Sequence, residues 1–174
     1  MDFPALIKIG DYYSFEDYIE TLYECFLQTL IYDIPVHERD YISVEIPNQN
    51  ILEDKKIKCF WHLITKEEHS TGDRLPDPSR SEKIPWIKFL IENFITLGIK
   101  HFEKIVKGKI RHHIWHESER YCIVIDIHNI SRYYLITAYY VTQKKRKKLK
   151  KASKICKNRK THTIKTKTAI EAVM

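Results

Sequence analysis

The chain has 174 residues, 43% hydrophobic and 30% charged, which fits one globular domain, alone or with an appendage, and rules out a wholly disordered chain. Its formal charge of +7 is uneven: residues 144–174 carry 13 basic and one acidic side chain, a net of +12, which leaves −5 on the body before them. No apolar run approaches the roughly 20 residues of a membrane span, the N-terminus has no signal-peptide pattern, and the four glycines form no phosphate-cradling loop of the nucleotide-dependent enzymes.

Ser14, with Glu16 and Asp17 behind it, marks a helix start. Phe15, Tyr18, Ile19, Leu22, Cys25, Phe26 and Leu30 then recur at helical spacing, predicting an amphipathic helix over 14–31. Pro35 and Pro47 bracket a short strand over 41–46, and residues 48–54 read as a turn. Residues 59–65 (CFWHLIT) are apolar around one imidazole. The polar stretch 66–83, with Gly72, Pro76 and Pro78, is irregular at least in part. Pro85 opens a second helix to about residue 97, with Gly98 at its end. Residues 109–117, 120–128 and 133–142 are rich in β-branched and aromatic side chains and are separated by short polar turns, so adjacent antiparallel pairing is the simplest topology. Beyond Thr142 the composition turns to QKKRKKLKKASKICKNRK, in which Leu149, Ala152, Ile155 and Cys156 trace a narrow apolar stripe. The layout is α+β: N-terminal helices pack on a C-terminal antiparallel sheet of three to four strands. One domain spans 1–143, and 144–174 form a basic C-terminal helix or tail. The helices cover one sheet face and leave the other for a ligand.

Three places carry candidate chemistry. His62 sits in FWHLIT, where a lone histidine is ordinarily a satisfied structural residue. Arg74 and Arg80 follow it on the polar loop, where two guanidiniums clamp a phosphate or pair with Glu67, Glu68, Asp73 and Asp77. The segment RHHIWHE, on a strand, puts Arg111, His113 and Trp115 on one face and His112, Ile114 and His116 on the other. That split argues against a metal site within the segment; Arg111 and His113 instead share a face for phosphate binding and proton transfer, or form a solvated row. In YYLITAYYVT, strict alternation groups Leu135, Thr137, Tyr139 and Val141, with Thr137 and Tyr139 free to bond a phosphate or sugar or merely to pack.

Together these groups suit RNA cleavage without metal or cofactor. A base takes the 2′-hydroxyl proton, an acid protonates the leaving 5′-oxygen, and cations stabilise the phosphorane. Histidine titrates in the range the proton transfers need. Cys25, Cys59, Cys122 and Cys156 form no Cys-x-x-Cys pair and read as reduced thiols of a cytoplasmic protein.

The stretches FWHLIT (60–65), RLPDPSRSEKIPWIKFLIEN (74–93) and IWHESERYCIVID…YYLITAYYVTQKKRKKLKK (114–151) resemble the phage-associated branch of the barnase–EndoU–colicin–RelE group of metal-independent ribonucleases. The likeness covers roughly residues 57–151. It implies a helical part packed on an antiparallel sheet whose open face binds RNA, a toxin or effector role, and a neutralising antitoxin or immunity protein. It places the early helix histidine of that pattern at His62, the basic loop positions at Arg74 and Arg80, and the hydroxyl-bearing last strand at Thr137 and Tyr139. The competing expectation is a non-catalytic nucleic-acid-binding protein acting through the basic tail; a third is a protein-interaction module.

Overall fold

The structure, a computed structural model, describes residues 2–47, 49–67, 74–129 and 131–156. The centre of the polar loop (68–73) and the outer part of the basic tail (157–174) lie outside the described residues.

Ser14 caps α1 (Phe15–Phe26), its hydroxyl accepting from the Asp17 N–H at 3.0 Å, and Tyr18, Ile19, Leu22 and Phe26 form the buried stripe. The helix expected over 14–31 changes character at its end. The coil over Leu27–Tyr32 is π-type. In it the Thr29 hydroxyl donates to the Cys25 carbonyl at 2.7 Å. Tyr41 turns the backbone at a φ of 55°, so the strand expected over 41–46 is only β1 (Val44–Glu45).

FWHLIT proves helical. In α2 (Lys58–Ile64) the buried residues Cys59, Phe60, Leu63 and Ile64 fall on one side, leaving His62 exposed. The short ribbon β2 (Thr65–Glu67) and β3 (Arg74–Pro76) follows, then α3 (Pro78–Ser81) and α4 (Pro85–Asn93). A buried hydrogen bond of 2.7 Å between the Tyr18 and Ser81 hydroxyls ties α1 to α3. Past α4 a turn closes at Gly98, whose φ of 64° costs a glycine little.

The remaining strands are β4 (Lys100–Val106), β5 (Lys109–His116), β6 (Tyr121–Asn129) and β7 (Arg132–Tyr140). The sheet has five strands in the order β1-β7-β6-β5-β4, with β1 parallel to β7 and the rest antiparallel. The expectation of three to four strands, all antiparallel, is therefore corrected at both edges. β1 is too short to show a period. β4, KHFEKIV, has the charge-rich composition of an edge strand, which discourages further pairing but blurs the apolar alternation. Lys107 and Gly108, at φ 51° and 76°, make its tight turn into β5.

Both sheet faces are covered. Side chains from α1, α2 and α4 pack on Ile114, Ile123, Ile125 and Leu135 to form the main core. On the other face, Phe102, Trp115, Cys122 and Val124 form a smaller core with Leu149, which comes from a helix over 143–156, α5. The sheet face expected to stand open thus carries the first part of the basic segment. Among the described residues no helix is long and apolar enough to cross a membrane.

Glu117, just beyond β5, pins α5 to the sheet. Its carboxylate accepts from Lys100, from Arg146 Nη2 at 2.9 Å and from Lys150 Nζ at 2.9 Å. These partners, Lys100 first, hold its carboxyl down to about 2, from an ordinary 4.5. Stabilisation from a lowered carboxyl is complete above its unfolded value and is lost as pH falls toward the folded one. Docking of α5 should therefore weaken between about pH 4.5 and 2, and Glu117→Gln should loosen it at neutral pH. Leu149→Ala should cost about 2–3 kcal/mol. Hydrogen exchange across 143–156 measures both; unchanged protection in the two variants would refute this account of the docking.

Candidate functional site

The last carbonyls at the C-terminal end of α2 carry the negative end of the helix dipole and lack intrahelical donors. Two arginines supply them. Arg80 Nη1 donates to the Thr65 carbonyl at 2.6 Å and reaches the His62 carbonyl at 3.5 Å. Arg74 donates from Nε to the Thr65 hydroxyl at 3.0 Å and from Nη2 to the Thr65 carbonyl at 3.3 Å. Local structure places each guanidinium. Glu67↔Arg74 pairing in the ribbon sets Arg74. Asp77 caps α3 by accepting from the Ser79 N–H at 3.0 Å, which sets Arg80 one residue on.

The end of β7 completes the group. Tyr139 lies opposite Cys122 in the strand register and joins the smaller core. Lys145, in the first turns of α5, holds its ammonium 4.4 Å from the Tyr139 ring centroid. Lys66 on β2 interacts electrostatically with Lys145.

The charges in this cluster oppose one another. Desolvation first, then the charges of Arg74 and Arg80, hold the His62 imidazole below its ordinary 6.5. Desolvation and Arg74 also depress Arg80 against the pull of Asp77. Lys145 is depressed by desolvation and then by Arg80 and Lys66. Burial raises the Tyr139 phenol, so it stays protonated. The ion pairs among the described residues include none of Lys66, Arg74, Arg80 and Lys145. Four cations beside a neutral imidazole and a phenol make a site that an oxyanion would relieve, and perturbed titration in such a group is a mark of functional sites.

Of the residues singled out from sequence, His62, Arg74, Arg80 and Tyr139 meet here. Thr137 is half-buried one cross-strand row away, opposite Val124. Leu135 does not share its face. A bulge at Ile136 shifts the register between Val124↔Thr137 and Ile125↔Leu135, sending Leu135 to the main core and leaving Ile136 and Tyr139 on the smaller one. Arg111 and His113 lie on β5, two strands from β7, and do not join the cluster. His113 is 5% exposed, stacked on Phe102, and pushed by burial down to about 4. Lys66 and Lys145 were not legible as site residues. Lys145 is one of seven cations in KKRKKLKK around Leu149, and only the docking of α5 distinguishes it.

The histidines of RHHIWHE separate as expected, but His112 finds others. Its ring gathers with those of His37 and His101 beside Tyr133, near the opposite end of β7. Comparison of the chain with protein-family models, with curated proteins and with solved structures gives no match.

Removing Arg80 lifts one of the charges that depress His62. In Arg80→Gln the His62 imidazole pKa, followed by NMR, should rise toward 6.5, and inorganic sulfate should raise it in the unaltered chain. A His62 titration indifferent to both changes would dissolve the cluster as an electrostatic unit.

Proposed function

We propose that this chain is a metal-independent endoribonuclease acting as a toxin or effector in the cytoplasm. The observation that carries the reading is the unpaired cation group Lys66, Arg74, Arg80 and Lys145 around the exposed, neutral His62. A ribose 2′-oxygen attacks the adjacent phosphorus, and His62 takes its proton. The bond from phosphorus to the 5′-oxygen breaks, leaving a 2′,3′-cyclic phosphate on one fragment. The departing oxygen takes a proton from Lys145, whose lowered pKa makes it the better acid beside the raised phenol of Tyr139. Arg74, Arg80 and Lys66 offset the charge that builds on the phosphorane. Tyr139 and Thr137 contact the substrate, and Arg111 and His113, two strands away with His113 buried against Phe102, take no part in it. The exposed lysines of α5 extend the positive surface away from Lys145 and suit a polyanionic strand. A neutralising antitoxin or immunity protein would meet this site with acidic side chains.

The test is purified full-length chain with total RNA, with and without EDTA, followed by mapping of 2′,3′-cyclic phosphate ends. Cleavage should persist in EDTA and fall about 100-fold or more in His62→Ala and in Arg80→Ala, the usual scale for loss of an acid–base or oxyanion-stabilising group. The acid limb of the pH profile should lie below 6.5. Cleavage retained in both variants would overturn the assignment.

The second reading, nucleic-acid binding without catalysis, draws on the same lysine-rich surface. Truncation after Cys156 separates the two, because it spares Lys145 and the Leu149 anchor while removing the outer tail. A nuclease should lose salt-dependent affinity and keep cleaving; a tail-dependent binder should lose its function. A protein-interaction module would retain no RNA even at low salt.

A further inference from the structure

Three imidazoles from three separate elements converge at the edge of the sheet. His37 sits in the turn between Val36 and Ser43, which pair as a bridge, and its backbone is fixed by the Ile42 carbonyl at 2.9 Å. His101 is on β4 and His112 on β5, diagonal neighbours in the register. The ring centroids of His37 and His112 are 4.9 Å apart, those of His101 and His112 4.9 Å, and those of His37 and His101 5.5 Å. One nitrogen from each ring lies within 4.8 Å of the other two.

We propose that His37, His101 and His112 form a binding site for one divalent transition-metal ion of the zinc class.

The polar bookkeeping at His37 favours this over a packed histidine cluster. His37 is fully buried, yet neither ring nitrogen makes a hydrogen bond. Its Nδ1 lies 3.0 Å from Asp40 Oδ2 but out of line for one. That oxygen already accepts from the Tyr133 hydroxyl at 2.9 Å and from Arg39 Nη2 at 3.0 Å. Buried polar atoms are rarely left so in native structures, and coordination of an ion is one of the standard reasons. Asp40 lies near enough that a small turn of the ring would let Nδ1 donate to it, as carboxylates commonly accept from a metal-bound imidazole.

His101 Nε2 and His112 Nδ1 face each other at 2.9 Å. Two nitrogens on a tetrahedral ion with bonds of about 2.0–2.1 Å stand roughly 3.3–3.4 Å apart, so an opening of a few tenths of an ångström exchanges the shared proton for an ion. The charges nearby tolerate a cation. Arg39 is paired with both Asp40 and Glu103, at 2.7 and 3.0 Å, so the three groups together carry one negative charge. Three imidazoles suit zinc, cobalt, nickel or copper better than magnesium or calcium, which prefer oxygen. A cavity of about 650 Å³, lined by His101, Arg39, Phe94, Lys100 and the Lys150–Cys156 part of α5, reaches the group at one member, His101.

This site is separate from the proposed ribonuclease site. Tyr133, which touches the imidazoles, is six residues before Tyr139, a distance of about 20 Å along a strand.

Cobalt(II) titration of the full chain, read by visible absorption, tests the inference, with zinc competition and metal analysis after dialysis. One equivalent should bind with the intense bands of a low-coordinate nitrogen site, and zinc should displace it. His101→Ala, at the half-exposed member, should weaken binding by about 100-fold or more, beyond the roughly 10–100-fold expected for an orienting group alone. His62→Ala should bind cobalt as the unaltered chain does. Should the His101 variant fail to fold, ring-nitrogen NMR of the unaltered chain with zinc decides, since the signals of His37, His101 and His112 should move and that of His62 should not. Absence of stoichiometric binding, unchanged affinity in a folded His101→Ala, or zinc shifts at other histidines would overturn the site. These readouts are independent of RNA cleavage, so the two proposals fail separately.

Discussion

Strand β6 is buried over six consecutive residues, Tyr121–Asp126, and the rest of the architecture answers to that constraint. A strand apolar on both faces needs cover on both. Helices α1, α2 and α4 supply one side, and a basic helix, poor in apolar side chains, supplies the other. Leu149 enters the smaller core while the exposed lysines of α5 stay in water. The same docking brings Lys145 over Tyr139. Satisfying a hydrophobic requirement at β6 thereby delivers a cation to the end of β7.

The cation cluster is held against its own repulsion. Helix α2 ends in carbonyls that need donors, and Arg74 and Arg80 satisfy them, so a local hydrogen-bonding need fixes two like charges side by side. Their mutual field is expressed in His62, which stays neutral, and in Lys145, which is easier to deprotonate. Elsewhere carboxylates gather cations, as Glu117 does for Lys100 of the body and for Arg146 and Lys150 of the basic segment. What sets this place apart is that its cations lie close enough to perturb one another and His62.

Much of this was legible from residue types. Ser14 and Pro85 marked helix starts by chemistry that operates over three or four residues, and the three β-rich segments announced themselves by composition; Gly98 closes a turn beyond α4, which ends at Asn93 and not near 97 as its pattern suggested. Grouping His62 with Arg74, Arg80 and Tyr139 was also within reach of the sequence. What stayed hidden depended on tertiary register. The bulge at Ile136 reverses the side of Leu135 relative to Thr137, and nothing in YYLITAYY marks it. His113 looked available because alternation cannot tell a face covered by a helix from one open to water. His37, His101 and His112 are 64 and 11 residues apart in sequence, and no spacing rule links a turn to two strands.

The overall charge of +7 conceals two different electrostatic solutions at the two ends of β7. At Tyr139 the four cations make no ion pair among the described residues, an arrangement that favours a passing polyanion. At Tyr133 the guanidinium of Arg39 is closed off by two carboxylates, and of the imidazoles beside it His37 and His112 are buried. An ion bound there would act on a phosphate about 20 Å away with only a few tenths of a kcal/mol through water, too little to move a barrier. Its effect falls instead on what it touches. It joins the 36–43 turn to β4 and β5, at the sheet edge where β4 has a neighbour on one side only, and so fastens the part of the sheet that pairing alone holds least firmly.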